Sequence, residues 1–149
     1  MIISTTVLVW REDGGRRVHD KTNGDTYLLN HKNMFEIQAH SDGSWMYYAD
    51  NRNDRRERLG YLRCNTTPAN LIIASDAVPI SNTVTLPIFP NEDDTETAVN
   101  TVIMIDQLSR AWAHEDGTSC YVSYTDDGWD IIRCRCELTL AALTALIIP

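Results

Sequence analysis

The amino-acid sequence predicts a mainly β (α+β) fold of two repeated units, each of about five antiparallel strands plus one short helix, related by a pseudo-two-fold. Three observations predict it. A hairpin signature occurs twice, as Ala39-His40-Ser41-Asp42-Gly43-Ser44 and as Ala113-His114-Glu115-Asp116-Gly117-Thr118. Runs of β-branched and aromatic residues are separated by glycine, asparagine and aspartate turn signals. An Arg-Cys pair followed by a capped helix closes each half, at Arg63-Cys64 and at Arg135-Cys136.

The copies align at a nearly constant spacing. At an offset of 74, Tyr27-Leu28-Leu29 meets Thr101-Val102-Ile103, Ile37-Gln38-Ala39-His40 meets Ala111-Trp112-Ala113-His114, and Tyr47 meets Tyr121. The offset drops to 72 where Arg63-Cys64, Thr67, Ala69 and Leu71 meet Arg135-Cys136, Thr139, Ala141 and Leu143. At the front, Ser4-x-Thr6-Val7 meets Ser81-x-Thr83-Val84 at an offset of 77. Changes in loop length explain the drift, and the units are expected at residues 1–78 and 79–149. Half of 149 residues makes a thin core, so the units are expected to pack as one compact domain.

Taken in order, Thr5 to Arg11 is a strand of β-branched and aromatic residues, broken at Glu12-Asp13-Gly14-Gly15. Arg16 to Asp25 reads as a polar loop with Asn23-Gly24 as a turn. Strands follow at Thr26–Asn30 and at Met34–His40, where Phe35, Ile37 and Ala39 alternate with Glu36, Gln38 and His40. Asp42-Gly43 turns the chain into a strand from Ser44 to Ala49. A charged loop then leads to a strand ending at Cys64, and Thr67-Pro68 starts a short helix that turns Leu71 and Ile72 toward the sheet. The second unit repeats this with strands at Asn82–Phe89, Val99–Ile105, Leu108–His114, Thr118–Tyr124 and Asp130–Cys136. Its last helix, Leu140–Ile147 after Thr139, is apolar nearly all round, which predicts cover on more than one side, by the other unit or a neighbouring subunit.

The net charge of −8 is uneven. Residues 1–75 hold ten Lys/Arg against nine Asp/Glu, whereas residues 76–149 hold three against twelve. An acidic second half repels phosphate, so nucleic acid is an unlikely partner. The longest apolar run is about half of the ~20 residues a membrane-spanning helix needs, and no secretion leader is visible at the N-terminus. The expected location is a virion or the cytoplasm.

The run Leu29-Asn30-x-x-x-Met34-x-x-Ile37, then a glycine hairpin, an aromatic strand, another strand and a capped helix, resembles the small flagellar FlbD-like proteins. The same pattern is similar to short β-rich accessory proteins of tailed bacteriophages. The resemblance implies topology and carries over no functional residue. The stretches 12–25 and 50–57 exceed the family pattern.

Candidate chemistry is thin. His40 and His114 each precede a turn, where a ring nitrogen satisfies turn backbone more readily than it binds metal, since spacing places no second ligand. His19 and His31 have less context still. Cys134-x-Cys136 puts two thiols on one strand face, and Cys64 matches Cys136, a pattern that favours buried core over zinc or redox chemistry. Glu92-Asp93-Asp94 lacks the spacing of a calcium loop, and Asp126, Asp127 and Asp130 fit turn chemistry. No phosphate loop, nucleophile elbow or zinc-protease motif occurs. Catalytic, metal and cofactor residues are therefore none, and the chain is expected not to be an enzyme. The candidate protein–protein contacts are Arg52, Arg55, Arg56 and Arg58 against a neighbour's Glu92, Asp93 and Asp94.

The function this points to is a non-enzymatic structural or interaction protein, most plausibly a capsid decoration or tail-associated subunit of a phage-like particle. Its partners would be other protein subunits. The alternative is a small regulatory or ligand-binding module using Trp45, Tyr47, Tyr48 and Trp112.

Overall fold

The structure, a computed structural model, describes residues 2–40, 43–49, 59–75, 78–89, 97–125 and 131–149. It opens with a long antiparallel hairpin of β1 (Ile2–Asp13) and β2 (Arg16–Asn30). Gly14 and Gly15 turn it, both at positive φ (58° and 81°), the backbone that a two-residue hairpin demands. This corrects the polar loop expected from Arg16 to Asp25. The stretch is strand, with Arg16 and Arg17 placed opposite Asp13 and Glu12, and opposite charges across a ladder favour pairing. Asn23-Gly24 does not turn either. A Cβ at Gly24 would lie 2.6 Å from the Val7 carbonyl oxygen, so glycine there lets two backbones approach beside the register shift at Leu8/Trp10.

A 3-10 turn (His31–Asn33) leads to β3 (Met34–His40), β4 (Gly43–Ala49), β5 (Leu59–Cys64) and helix α1 (Pro68–Ser75). Then come β6 (Thr83–Ile88), β7 (Val99–Met104), a 3-10 turn (Ile105–Gln107), β8 (Leu108–Ala113), β9 (Cys120–Thr125), β10 (Ile131–Cys136) and α2 (Leu140–Ile147). The strands form a mainly antiparallel ten-stranded sheet in the order β3-β4-β5-β1-β2-β8-β9-β10-β6-β7. Each half contributes a three-strand meander joined to a two-strand hairpin. The join is a single residue pair in both, Val7 with Cys64 and Ile88 with Cys136. A register shift also falls at Met34/Glu36 in β3 and at Leu108/Arg110 in β8.

The register differs from the sequence alignment in two places. His40 pairs with Gly43 across a two-residue connection, while the His114 N–H donates to the Ser119 carbonyl at 3.1 Å across four residues. Beyond the hairpin it is therefore Trp45, not Tyr47, that holds the place of Tyr121. Trp45 pairs with Gln38 and Arg63 as Tyr121 pairs with Trp112 and Arg135. Likewise Ile88, not Val84, holds the place of Val7. The two hairpin connections differ in length, and the matches of Tyr47 with Tyr121 and of Val7 with Val84 do not mark the same place in the ladders.

Leu28 and Leu29 are fully buried on opposite faces of β2, as a period of two requires. Leu28 enters the larger core with Leu86, Ile103, Leu108, Val122 and Leu143, and Leu29 enters a smaller one with Cys64 and Leu71. The helices cover these cores with one stripe each. α2 buries Leu140, Leu143 and Ile147 and leaves Leu146 exposed, so within the single chain its burial is one-sided and the other unit does not supply the second side expected for it. In α1 Leu71 is buried, but Ile72, expected to face the sheet, is exposed.

The halves meet where β2 pairs with β8: Tyr27 with Trp112, Leu28 with Ala111, Leu29 with Arg110. Beside these pairs sits the fully buried Asn30. Its Nδ2 donates to the Leu108 carbonyl at 2.7 Å and the Ile105 carbonyl at 3.4 Å, and its Oδ1 accepts from the Lys32 N–H at 3.1 Å. Asn33 Nδ2 donates to Ser109 Oγ at 3.1 Å, and Lys32 pairs with Asp106 at 2.6 Å. Asn30→Ala leaves two inward carbonyls without this donor. It is expected to lower the unfolding free energy by about 1–3 kcal/mol, measured by urea denaturation; an unchanged midpoint would show that the junction is held elsewhere.

Candidate interaction surface

Side chains of β2, β8, β9 and β10 on the face opposite the larger core form a ladder, with Tyr121 buried in it and Tyr27 also packed against the smaller core. The Tyr27 and Trp112 rings stack at 5.6 Å and 9°, and Trp112 meets Tyr121 at 5.4 Å. The Arg133 guanidinium lies 4.6 Å from the Tyr121 ring centre and 5.2 Å from that of Trp112, and Arg110 lies 4.9 Å over Trp112. Cations over aromatic faces attract the ring quadrupole, so the three rings and two arginines hold one another in fixed geometry. Arg110 and Arg133 escaped the sequence reading, and Arg135 entered it as the counterpart of Arg63 with no contact assigned to it. The signal was there, in Arg110-x-Trp112 and Arg133-x-Arg135, whose spacing of two puts each pair on one strand face.

The repeated histidines stand at the base of the repeated hairpins, next to the repeated arginines. A His40 ring nitrogen contacts the guanidinium of buried Arg63. In the second half, His114 Nδ1 accepts from the Asp116 N–H at 3.1 Å, and the His114 ring tilts onto Tyr121 at 4.7 Å. Asp116 gathers the turn. Its carboxylate accepts from the Thr118 N–H (2.9 Å), the Ser119 N–H (3.0 Å) and the Ser119 hydroxyl (2.8 Å), and pairs with Arg135 at 3.3 Å. The Thr118 N–H above all, then Ser119, holds the carboxyl well below the usual carboxylate range. Arg135 Nε in turn donates to Ser119 Oγ at 3.0 Å. These contacts bind the turn to the neighbouring strand. His19 sits elsewhere, with Nδ1 at 3.2 Å from the Leu8 carbonyl, and burial lowers its proton affinity.

All four cysteines are free and buried. Burial pushes the Cys64 thiol up to about 11. Cys120 and Cys136 are directly opposed across β9 and β10, and the hydrogen bond between their sulfurs keeps Cys120 protonated. Cys134 donates to the Val122 carbonyl at 3.7 Å. Cys64 and Cys120, thiols that stay protonated in an apolar core, are poor nucleophiles and poor metal ligands, while the same hydrogen bond from Cys120 lowers the proton affinity of Cys136. No group of three or more His, Cys, Asp or Glu that could hold a metal occurs among the described residues. Among them, too, no helix is long and apolar enough to cross a membrane.

The candidate contacts Arg52, Arg55, Arg56, Arg58, Glu92, Asp93 and Asp94 lie outside the described residues, as do Asp126, Asp127 and Asp130. The described surface offers instead the two ends of the sheet. Among the described residues β3 and β7 each pair on one side only, and β7 exposes Val99, Val102 and Met104. No family model, curated protein or solved structure matches the chain, so these comparisons give the FlbD-like and phage-accessory resemblance no support.

Two outcomes are expected of this chemistry. Ellman's reagent should label none of the four cysteines in the native protein and all four in denaturant; rapid native labelling would contradict their burial. Because the folded Asp116 carboxyl is the stronger acid, its contribution to stability is complete above the unfolded value of about 4 and is lost as the pH falls toward the folded value. Asp116→Asn should therefore flatten the acid limb of a plot of stability against pH, and an unchanged acid limb would deny the carboxylate this role.

Proposed function

We propose that the chain is a non-enzymatic structural protein, built from two fused copies of one β unit, that works by joining other protein subunits. The observation that carries this reading is the open sheet formed by the described residues: ten strands paired side by side, ending in β3 and β7. An edge strand presents unpaired backbone donors and acceptors, and folded proteins ordinarily blunt such edges with lysine, proline or a covering segment. β7 reads Val-Asn-Thr-Val-Ile-Met, with no charge and no proline. Exposed apolar side chains along such an edge mark a place where another chain pairs. A repetitive shell or tail, in which one subunit meets identical neighbours, is the setting proposed for it.

The ligand-binding alternative is less well supported. Trp112, one of its four aromatics, is already engaged by Tyr27, Tyr121 and two guanidiniums. Trp45, Tyr47 and Tyr48 are placed only by their backbone register on β4. Sedimentation velocity over a range of concentrations tests the proposal. Species larger than one chain are expected to grow with concentration, and a single-chain species throughout would overturn the assembly reading.

A further inference from the structure

We infer that β7 of one copy adds to β3 of the next, extending the sheet head to tail in the register that already joins the halves inside the chain. The inference rests on the assembly reading and names its partner as a second copy of this chain. In the internal junction β2 pairs with β8 through Tyr27/Trp112, Leu28/Ala111 and Leu29/Arg110. By strand order, β2 and β7 are the fifth members of their halves and β8 and β3 the first. The matching pairs between copies are therefore Thr101 opposite Gln38, Val102 opposite Ile37 and Ile103 opposite Glu36.

Three features of the chain favour this contact. The first is burial. Leu28 is 0% exposed in the internal junction, whereas Val102 in the same place on β7 is 65% exposed and Met104, in the place of Asn30, is 46% exposed. The end of the sheet thus carries apolar side chains at the positions that the junction covers. The second is shape. β3 carries a register shift at Met34/Glu36 where β8 carries one at Leu108/Arg110, and each follows a 3-10 turn, so β3 offers the edge that β8 offers to β2. The third is charge. Lys32 and Asp106 occupy the same place in the two halves and pair across the internal junction. Between copies the roles exchange, bringing Asp106 of one toward Lys32 of the next. Head-to-tail contact also sets the strongly acidic half against the nearly neutral one, whereas a two-fold contact between second halves would set acidic against acidic. The β7 surface is unlike that of β3, so the contact is heterologous and yields a ring if the rotation closes or a filament if it does not.

The experiment uses the full chain and two readouts. Val102→Lys places a charge on a side chain that is 65% exposed and belongs to neither core, so its circular dichroism should match the parent while sedimentation shows loss of every species above one chain. For the register, a Thr101→Cys variant is mixed with a Gln38→Cys variant and oxidised with diamide. A disulfide-linked dimer is expected only in the mixture, and Ala39→Cys in place of Gln38→Cys should give none, since a slip of one residue turns the side chain to the other face. Oligomers that persist unchanged in Val102→Lys would overturn this inference and leave the assembly reading standing. Oligomers lost in Val102→Lys without the cross-linked dimer would overturn the register. A chain that stays single at every concentration would overturn both.

Discussion

The buried amide of Asn30 is the constraint on which the rest of the structure depends. The pairing of β2 with β8 is only three residues deep, too short to define one register by backbone bonding alone. A fully buried asparagine needs partners for its polar atoms, and here they exist only where the 3-10 turn after β7 brings the carbonyls of Ile105 and Leu108 together. That requirement fixes the junction. A slip of one residue would leave the amide without those carbonyls and would also exchange Leu28 and Leu29 between faces. Each leucine is worth roughly 1.5–3 kcal/mol when buried, so the wrong register loses hydrophobic and hydrogen-bonding energy together.

From that junction the two cores follow, and they are unequal. β2 supplies Leu28 to one and Leu29 to the other, so neither half is complete without the strand at their border. The larger core draws on β6 to β10 and on three residues of α2, and it also takes in Cys120, Cys134 and Cys136. The smaller has three fully packed members and leans on partly buried Val7, Met34 and Ile37. The face of the sheet opposite the larger core, which also carries the smaller one, compensates in kind. Asp116, Ser119 and Arg135 tie the second hairpin to β10, and the Tyr27-Trp112-Tyr121 ladder runs across the border from β2 to β9. Core below and ladder above cross the same junction.

Much of this was legible in the sequence, and the parts that were not have physical reasons. The strand from Met34 to His40 announces itself by alternation, and Thr139 by its capping chemistry, its hydroxyl accepting from the Ala142 N–H at 3.1 Å. The hairpin at Gly14-Gly15 was read as the start of a loop because the strand beyond it is polar on both faces, and alternation is silent where neither face is buried. The frame of the aromatic strand was misjudged because Tyr47 and Tyr121 are identical, although strand pairing, which no single strand reveals, equates Trp45 with Tyr121. Asn30 gave no sign at all. An asparagine ending a strand reads as a turn residue, and its burial depends on carbonyls from the other half of the chain. The Arg133 contacts were hidden in the same way, since its guanidinium finds the Tyr121 and Trp112 rings across strands, whereas Arg110 lies over Trp112 of its own strand.

The difference between Asn30 and Met104 decides which of two similar edges is permanently closed. At the border inside the chain, an amide that must be satisfied and a paired Lys32–Asp106 hold β2 to β8, and the two strands share one polypeptide, so their encounter has little loop entropy to overcome. At the outer end the same backbone place carries a methionine, whose side chain gains from being covered but demands no partner and dictates no register. An apolar edge of this kind gains when another strand arrives. In the assembly proposed above, the β7 edge would serve association that concentration controls, while the β2 edge is built into the fold.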